Sequence, residues 1–418
     1  MKQNPILTLR SDPRLQLRPE PETLAINGGL QPFAIATARD TLLAQVQLPE
    51  RSYPDERIVF HWMIGSFVSR DGGGSWTRVE HRPGKNELYM EGGAFVLPDG
   101  RMFLLDTYVT AGPKGEGRGL AQIFSHDLRT VEGPLEITFD LPGMDFEGVD
   151  DGGNPHRAER LHRRILALPD GDLLATIYGW FHEDNTPVDY MPNGRKVRTL
   201  LLRSSNQGRH WRLVSTIAVG PNLGTEGMCE PDLVRISTGP HAGRLICYMR
   251  TGRALYQCIS DDDGATWTPP AAQQFGILDV YDPTPWEKFF ADTPDLPGYT
   301  RDLHGTFVDP NVIELRNGVL VCAFGLRMTE KLCWVNPRHE RNGNYLVFSF
   351  DHGATWTHIV QLTSGIMTTH YMNILELEPN RLHVLYDREG RWEDGYWDGT
   401  KGRFTASRSF ALDFNLGQ

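Results

Sequence analysis

Ionisable side chains in this sequence gather at the two ends of short apolar runs instead of spreading evenly. Ahead of such runs stand Glu91, His162, Glu230, Asp232, His304, Asp309, His370 and Tyr371; behind them stand Asp106, Tyr178, His182, Arg250, Arg327, Asp387 and Arg388. Brought together, carboxylates, imidazoles, phenols and guanidinium groups could move protons, form a covalent adduct and hold an anionic group. No His/Cys/Asp cluster has the spacing of a metal-ligand motif, so no metal or other cofactor is expected.

Something must carry these scattered positions to one place. Apolar runs broken by a short turn recur at 33–44, 94–105, 165–177, 233–249, 312–324 and 374–386. Each reads as a strand, turn, strand hairpin, most clearly at Leu97-Pro98-Asp99-Gly100 and Leu168-Pro169-Asp170-Gly171. A second repeat follows most of them. Its clearest copy is Ser260-Asp261-Asp262-Asp263-Gly264-Ala265-Thr266-Trp267, and the same grammar returns at 69–76, 204–211 and 349–356. Asp262 can fold its carboxylate onto nearby backbone N–H groups and the Thr266 hydroxyl, Gly264 supplies a positive φ, and Trp267 anchors the next strand. Locally satisfied turns of this kind are fold elements, not sites. Ser125-His126-Asp127-Leu128-Arg129-Thr130 stands where the second unit's copy belongs, without its Gly and Trp.

Each unit therefore reads as four antiparallel strands, and repetition without helical crossovers predicts an all-β, six-bladed β-propeller formed by a single domain, 1–418. The N-terminal segment around Leu24 to Ile26 is expected to complete the last blade. The insertions 143–164 and 273–303 precede first strands, so they should arch over one ring face. In such a ring the inner strands begin at one face around the axis, where the ionisable groups named above converge.

Composition agrees with many turns and short strands: Gly 43, Pro 28 and 10% aromatics in 418 residues. A net charge of −11 disfavours nucleic acid or an anionic membrane as partner, because both need a basic face. The five cysteines lack CxxC pairing and mostly lie in apolar contexts, as buried thiols do. The start shows no signal-peptide core and no stretch reaches the length of a membrane span, so a cytoplasmic protein is expected.

Asp-boxes, or BNR repeats, on a six-unit ring resemble the sialidase superfamily over nearly the whole chain. The resemblance sharpens in the fourth unit, where Cys229-Glu230-Pro231-Asp232-Leu233-Val234 leads to Tyr248-Met249-Arg250. Sialidases have a glutamate opening this hairpin and an arginine closing it. His370-Tyr371-Met372-Asn373 opens the sixth unit where sialidases carry a tyrosine nucleophile. The resemblance thus implies Tyr371 as nucleophile, Glu230 as the carboxylate that takes its proton, and Arg250, Arg341 and Arg327 as substrate contacts, with His304 and Asp309 at the rim. It places the general acid on the loop carrying Asp55, with Glu56 and Asp106 as further candidates. It departs at the first unit. Leu30 stands where sialidases have an arginine that clamps the substrate carboxylate, so a bidentate pair is missing and ordinary sialic acid is disfavoured.

The activity so implied is an exo-acting, retaining glycoside hydrolase releasing a terminal, acidic sugar from a glycan or small sugar. Two other readings stay open. A polysaccharide lyase could draw on His304, His370, Tyr371 and Arg250, and a non-catalytic propeller could bind carbohydrate without cleaving it. Trp180, Trp286, Trp392 and Trp397 could stack on sugar rings under any of them.

Overall fold

The computed structural model describes residues 6–38, 40–50, 53, 63–149, 155–189, 191–273, 275–277, 291–292, 305–328, 339–366, 368–389 and 404–416. The protein is all-β. Among the described residues no helix is long and apolar enough to cross a membrane.

The expected hairpins form. In the first unit Leu30–Ala36, Leu42–Leu48, Met63–Ser69 and Thr77–Val79 pair in order. In the fourth, Cys229–Arg235, Leu245–Arg250, Leu255–Ser260 and Ala271–Gln273 do the same. In the fifth, Thr306–Glu314, Leu320–Arg327, Gly343–Ser349 and His358–Gln361 are joined at the edge by Leu7–Arg10. The last sheet runs Met372–Glu378, Arg381–Glu389 and Phe404–Phe414, and its outer strand pairs with both Leu15–Pro19 and Thr23–Asn27. The N-terminal segment thus closes the last sheet, and it also extends the one before.

The second and third units differ from the expected separate sheets. Their strands Gly93–Val96, Met102–Leu105, Gly117–Phe124, Val131–Asp140 and Ala158–Ala167, Leu173–Phe181, Arg198–Ser204, His210–Ala218 join one ten-stranded sheet. Val131–Asp140 is long enough that Thr138 to Asp140 also run parallel to His210 to Arg212. An extra strand, Tyr108–Ala111, pairs with Gly117–Phe124 on one side and Ala158–Ala167 on the other. Edges that would otherwise offer unpaired N–H and C=O groups are consumed in this way.

Alternation of side chains along each strand leaves an apolar face on both sides of a sheet, and those faces must be covered. Phe33, Leu43 and Val68 of the first unit meet Met102 and Leu104 of the second. Leu174 and Leu201 of the third meet Leu233 and Cys247 of the fourth, and Tyr248 of the fourth meets Phe324 and Tyr345 of the fifth. Leu346 and Phe348 meet Val384 and Phe410, and Leu385 of the last sheet packs with Ala34 and Val46 of the first. Burying each large side chain contributes about 1.5–3 kcal/mol. From the second unit to the last, leading strands also touch in succession, and Met372–Glu378 lies against Leu30–Ala36. Between the first and second units, the Gln45 amide donates to the Leu88 carbonyl at 2.8 Å and accepts the Met90 N–H at 2.8 Å.

The repeated Ser-x-Asp turns hold by local hydrogen bonds. Ser260 Oγ donates to Asp262 Oδ1 at 2.8 Å, and Asp262 accepts the Thr266 N–H at 2.9 Å and its hydroxyl at 2.6 Å. Ser69 to Trp76 repeats the arrangement with Asp71 and Ser75. Gly264 has φ +87°, and a Cβ there would fall 2.0 Å from Leu201 Cδ2 of the preceding unit. The turns therefore sit where one sheet abuts the one before it.

Candidate functional site

Three leading strands carry an irregularity at the same height. Register breaks between Leu30 and Phe33, between Cys229 and Asp232, and between Val308 and Asn311. At each break a non-glycine residue with positive φ precedes a proline: Gln31 (55°), Glu230 (43°) and Asp309 (52°). Proline has no N–H to give the ladder, so a break is where a strand tolerates it, and the extra residue turns its neighbour out of register. His370, ahead of Met372–Glu378, has φ 65°. A left-handed non-glycine residue costs on the order of 1–3 kcal/mol and persists only where surrounding bonds hold it.

Those bonds tie each unit to the next. Arg164 grips Asp232 through two contacts of 3.0 Å, and Asp232 accepts the Asn311 amide at 2.9 Å and the Val312 N–H at 2.6 Å. Asn311 accepts the Ile374 N–H at 2.7 Å. Asp309 accepts the Met372 N–H at 2.8 Å and pairs closely with Arg163, whose other amino group donates to the Met372 carbonyl at 2.9 Å. Asp387 accepts the Tyr371 N–H at 3.2 Å and the Gln31 N–H at 2.8 Å. These carboxylates are spent on the framework.

Glu230 is different. Its Oε2 accepts the Asp309 N–H at 3.0 Å, while Oε1 accepts the Tyr371 hydroxyl in a short hydrogen bond and Arg250 Nη1 at 2.7 Å. Arg250 Nη1 also lies 3.1 Å from the Tyr371 oxygen. Residues from two paired strands and the residue ahead of a third thus form one buried contact: Glu230, Arg250 and Tyr371 are 8%, 7% and 8% exposed. Burial pushes the Glu230 carboxyl up, but Arg250 first, then His162, the Tyr371 hydroxyl and Arg327, hold it down at about 2. Burial, with the Glu230 charge next to it, keeps the Tyr371 phenol well above its ordinary range. At neutral pH the pair is therefore a carboxylate accepting a hydrogen bond from a neutral phenol.

Glu226 completes the group. Its Oε1 lies 2.6 Å from Arg250 Nε and its Oε2 accepts Arg250 Nη2 at 3.3 Å. Nothing periodic marks Glu226 in the sequence; the only hint is a second carboxylate four residues ahead of Glu230. Arg163 was likewise absent from the sequence candidates.

The other expected residues fall in different places. Arg327 is buried, donates to the Thr369 carbonyl at 3.0 Å and acts on the charge of both Glu230 and Tyr371. Asp309 is fully buried and supports the site through its backbone, so it sits behind Glu230 and not at a rim. Arg341 lies at the turn before Gly343–Ser349, where its carbonyl accepts the Tyr345 hydroxyl at 2.7 Å; among the described residues no hydrogen bond or ion pair joins it to Glu230 or Tyr371. Asp106 is buried and accepts the Tyr89 N–H at 3.1 Å. Trp180 is buried, its indole N–H on the Arg195 carbonyl at 2.8 Å. Asp55, Glu56, His304, Trp286, Trp392 and Trp397 lie outside the described residues. His370 is fully buried, neither ring nitrogen has a hydrogen-bond partner among the described residues, and burial holds it well below its ordinary pKa.

One group has metal-ligand character among the described residues: Glu91, His162 and Asp309, whose donor atoms lie within 4.8 Å of one another. His162 Nδ1 donates to the Pro231 carbonyl at 2.9 Å, leaving Nε2 facing Glu91 at 3.6 Å. Arg163 Nη2 contacts both carboxylates, Glu91 at 3.5 Å and Asp309 more closely. A guanidinium already supplies the positive charge there.

No family model matches the chain, and no curated protein matches it. Solved structures do. A protein of unknown function from Dyadobacter fermentans aligns with TM-score 0.60 at 16% identity, over 97% of this chain and 100% of the other. The NanB sialidase of Streptococcus pneumoniae aligns with TM-score 0.53 at 11% identity, over 97% of this chain and 72% of the other. An alpha-L-arabinanase of Penicillium chrysogenum, complexed with arabinobiose, aligns with TM-score 0.53 at 13% identity, over 94% and 98%. The chain shares the sialidase-like propeller fold of the sialidase and the arabinanase.

Proposed function

We propose that the chain is a six-bladed propeller that works as a retaining, exo-acting glycoside hydrolase, its reacting groups being Tyr371 and Glu230. The observation that carries this reading is the buried contact of the Tyr371 hydroxyl, the Glu230 carboxylate and the Arg250 guanidinium. A neutral phenol is a poor nucleophile, and a carboxylate hydrogen-bonded to it can take its proton as the oxygen attacks the anomeric carbon. The bond to the leaving oxygen breaks, that oxygen gains a proton from an acid, and Tyr371 holds the sugar until water releases it with configuration retained. Asp55 remains the proposed acid.

The order of charges favours a second reading of the same pair. Glu230 is the ionised member and Tyr371 the neutral donor, which suits Glu230 itself as nucleophile, oriented by Tyr371, in the manner of paired-carboxylate glycosidases. Turnover of aryl glycosides tests the activity. Tyr371→Phe should abolish it under the first reading and only lower it under the second, where Glu230→Gly should regain turnover with added azide. No release of the aryl group from any glycoside would sink both. An unsaturated, ultraviolet-absorbing product would instead favour the lyase reading, in which Tyr371 and Arg250 also take part.

A further inference from the structure

We infer that Glu226 makes this a site for a neutral terminal sugar, by using up the guanidinium that a sugar carboxylate would need. This rests on the proposal that the site binds sugar, and it departs from the acidic sugar that the sequence resemblance implies.

A carboxylate leaving water needs charge-assisted donors in return, best supplied by arginine in a bidentate fork. Arg250 is the arginine in contact with both reacting groups, and its fork is occupied. Nε and Nη2 face Glu226, at 2.6 and 3.3 Å, and Nη1 faces Glu230 at 2.7 Å. Two carboxylates on one guanidinium leave it little charge to offer a third, and Arg327, which acts on the same reacting pair, donates to the Thr369 carbonyl at 3.0 Å.

Glu226 is fixed there by backbone. Gly224 and Gly227 flank it with φ of 59° and 87°, and a Cβ on either would meet backbone oxygen, of Thr251 at 2.1 Å or of Val197 at 2.5 Å. The Thr225 N–H donates to the Thr251 carbonyl at 2.6 Å, one residue beyond Arg250. Carboxylate and guanidinium are thus anchored to the same stretch of chain.

The first unit adds no cation. Leu30 is fully buried, and its neighbour Gln31 accepts the Gln47 amide at 2.6 Å. Gln31 is one carboxylate away from Tyr371, since Asp387 accepts the backbone N–H of both. Paired amides can give and take hydrogen bonds from hydroxyls, but they cannot neutralise a carboxylate.

The first test needs no variant: saturation-transfer NMR with 2,3-didehydro sialic acid and with its C1 carboxamide, which differ in charge and little else. The wild-type protein should bind the amide at least tenfold more tightly than the acid. Glu226→Gln should then gain at least tenfold in affinity for the acid, and the double variant Glu226→Gln/Arg250→Gln should lose that gain. Wild-type preference for the acid overturns the inference. So does a folded Glu226→Gln protein, checked by circular dichroism, with no gain. Failure of the hydrolase proposal would look different: no aryl glycoside, neutral or acidic, would be turned over, whatever the binding preference.

Discussion

Two carboxylates in this molecule end at the same acidity by opposite routes. Asp262 lies in the exposed turn at 260–267 and is held at about 2 by the Thr266 hydroxyl and N–H and by Ser260, all within a few residues. Glu230 is buried and is held at about 2 against that burial by Arg250, His162, Tyr371 and Arg327, from three strands and the residue ahead of a fourth. Each accepts a hydroxyl hydrogen bond. Acidity therefore does not separate a turn from a site. What separates them is whether the stabilising partners are local and wet or distant and dry, because only the second arrangement depends on the whole ring closing.

The largest effect expected from that difference is on turnover. Glu230→Gln should lower it about 10²–10⁴-fold, as removal of a positioned base does, whereas Asp262→Asn should leave turnover per folded molecule unchanged. Steady-state rates on the best aryl glycoside decide it, and equal losses in both variants would erase the distinction.

Stability comes next. Arg250→Met would leave Glu226 and Glu230 buried without their cation, and should cost about 3–5 kcal/mol in urea denaturation. In the turn, Gly264→Ala must place a methyl group on Leu201 with φ +87°, at a cost of about 1–3 kcal/mol with no change in the active pair. A milder effect of Arg250→Met than of Gly264→Ala would mean that the axial charges are more hydrated than their burial implies.

The smallest effect is in pH dependence. The Glu230 carboxyl falls from 4.5 to about 2 on folding. A depressed acid contributes stability that is fully present above the unfolded value and lost as pH falls through the folded one, here between about pH 4.5 and 2. Asp262, lowered from 3.8 to about 2, loses its part in a narrower window. Thermal unfolding should show Glu230→Gln flattening the upper part of this decline and Asp262→Asn leaving it in place.

The same contrast explains what could be read from the sequence. Turns at 69–76, 204–211, 260–267 and 349–356 are written within eight residues each, so their hydrogen bonds were legible. The meeting of Glu230, Arg250 and Tyr371 was legible as well, because hairpin ends converge once a ring is assumed and the resemblance to sialidases singles these three out from the other ends. Glu226 was not, since it reaches Arg250 through a glycine-flanked bend with no periodic signal. Nor was the parallel pairing of Thr138 with His210, which depends on two sheet edges meeting in space. Arg163, and the framework role of Asp309, were hidden for a related reason. Asp309 looks like a rim group in sequence, and only the register break at Val308 to Asn311 turns it into a peg for Met372.

The most direct measurement is to trap the glycosyl adduct. Incubation with a fluorinated aryl glycoside of the best substrate, followed by peptide mass spectrometry, should place one sugar on the peptide carrying Tyr371, or on that carrying Glu230 if the carboxylate attacks. A sugar found on any other residue, or undiminished turnover by the Glu230→Gln/Tyr371→Phe double variant, would contradict the assignment of the reacting pair.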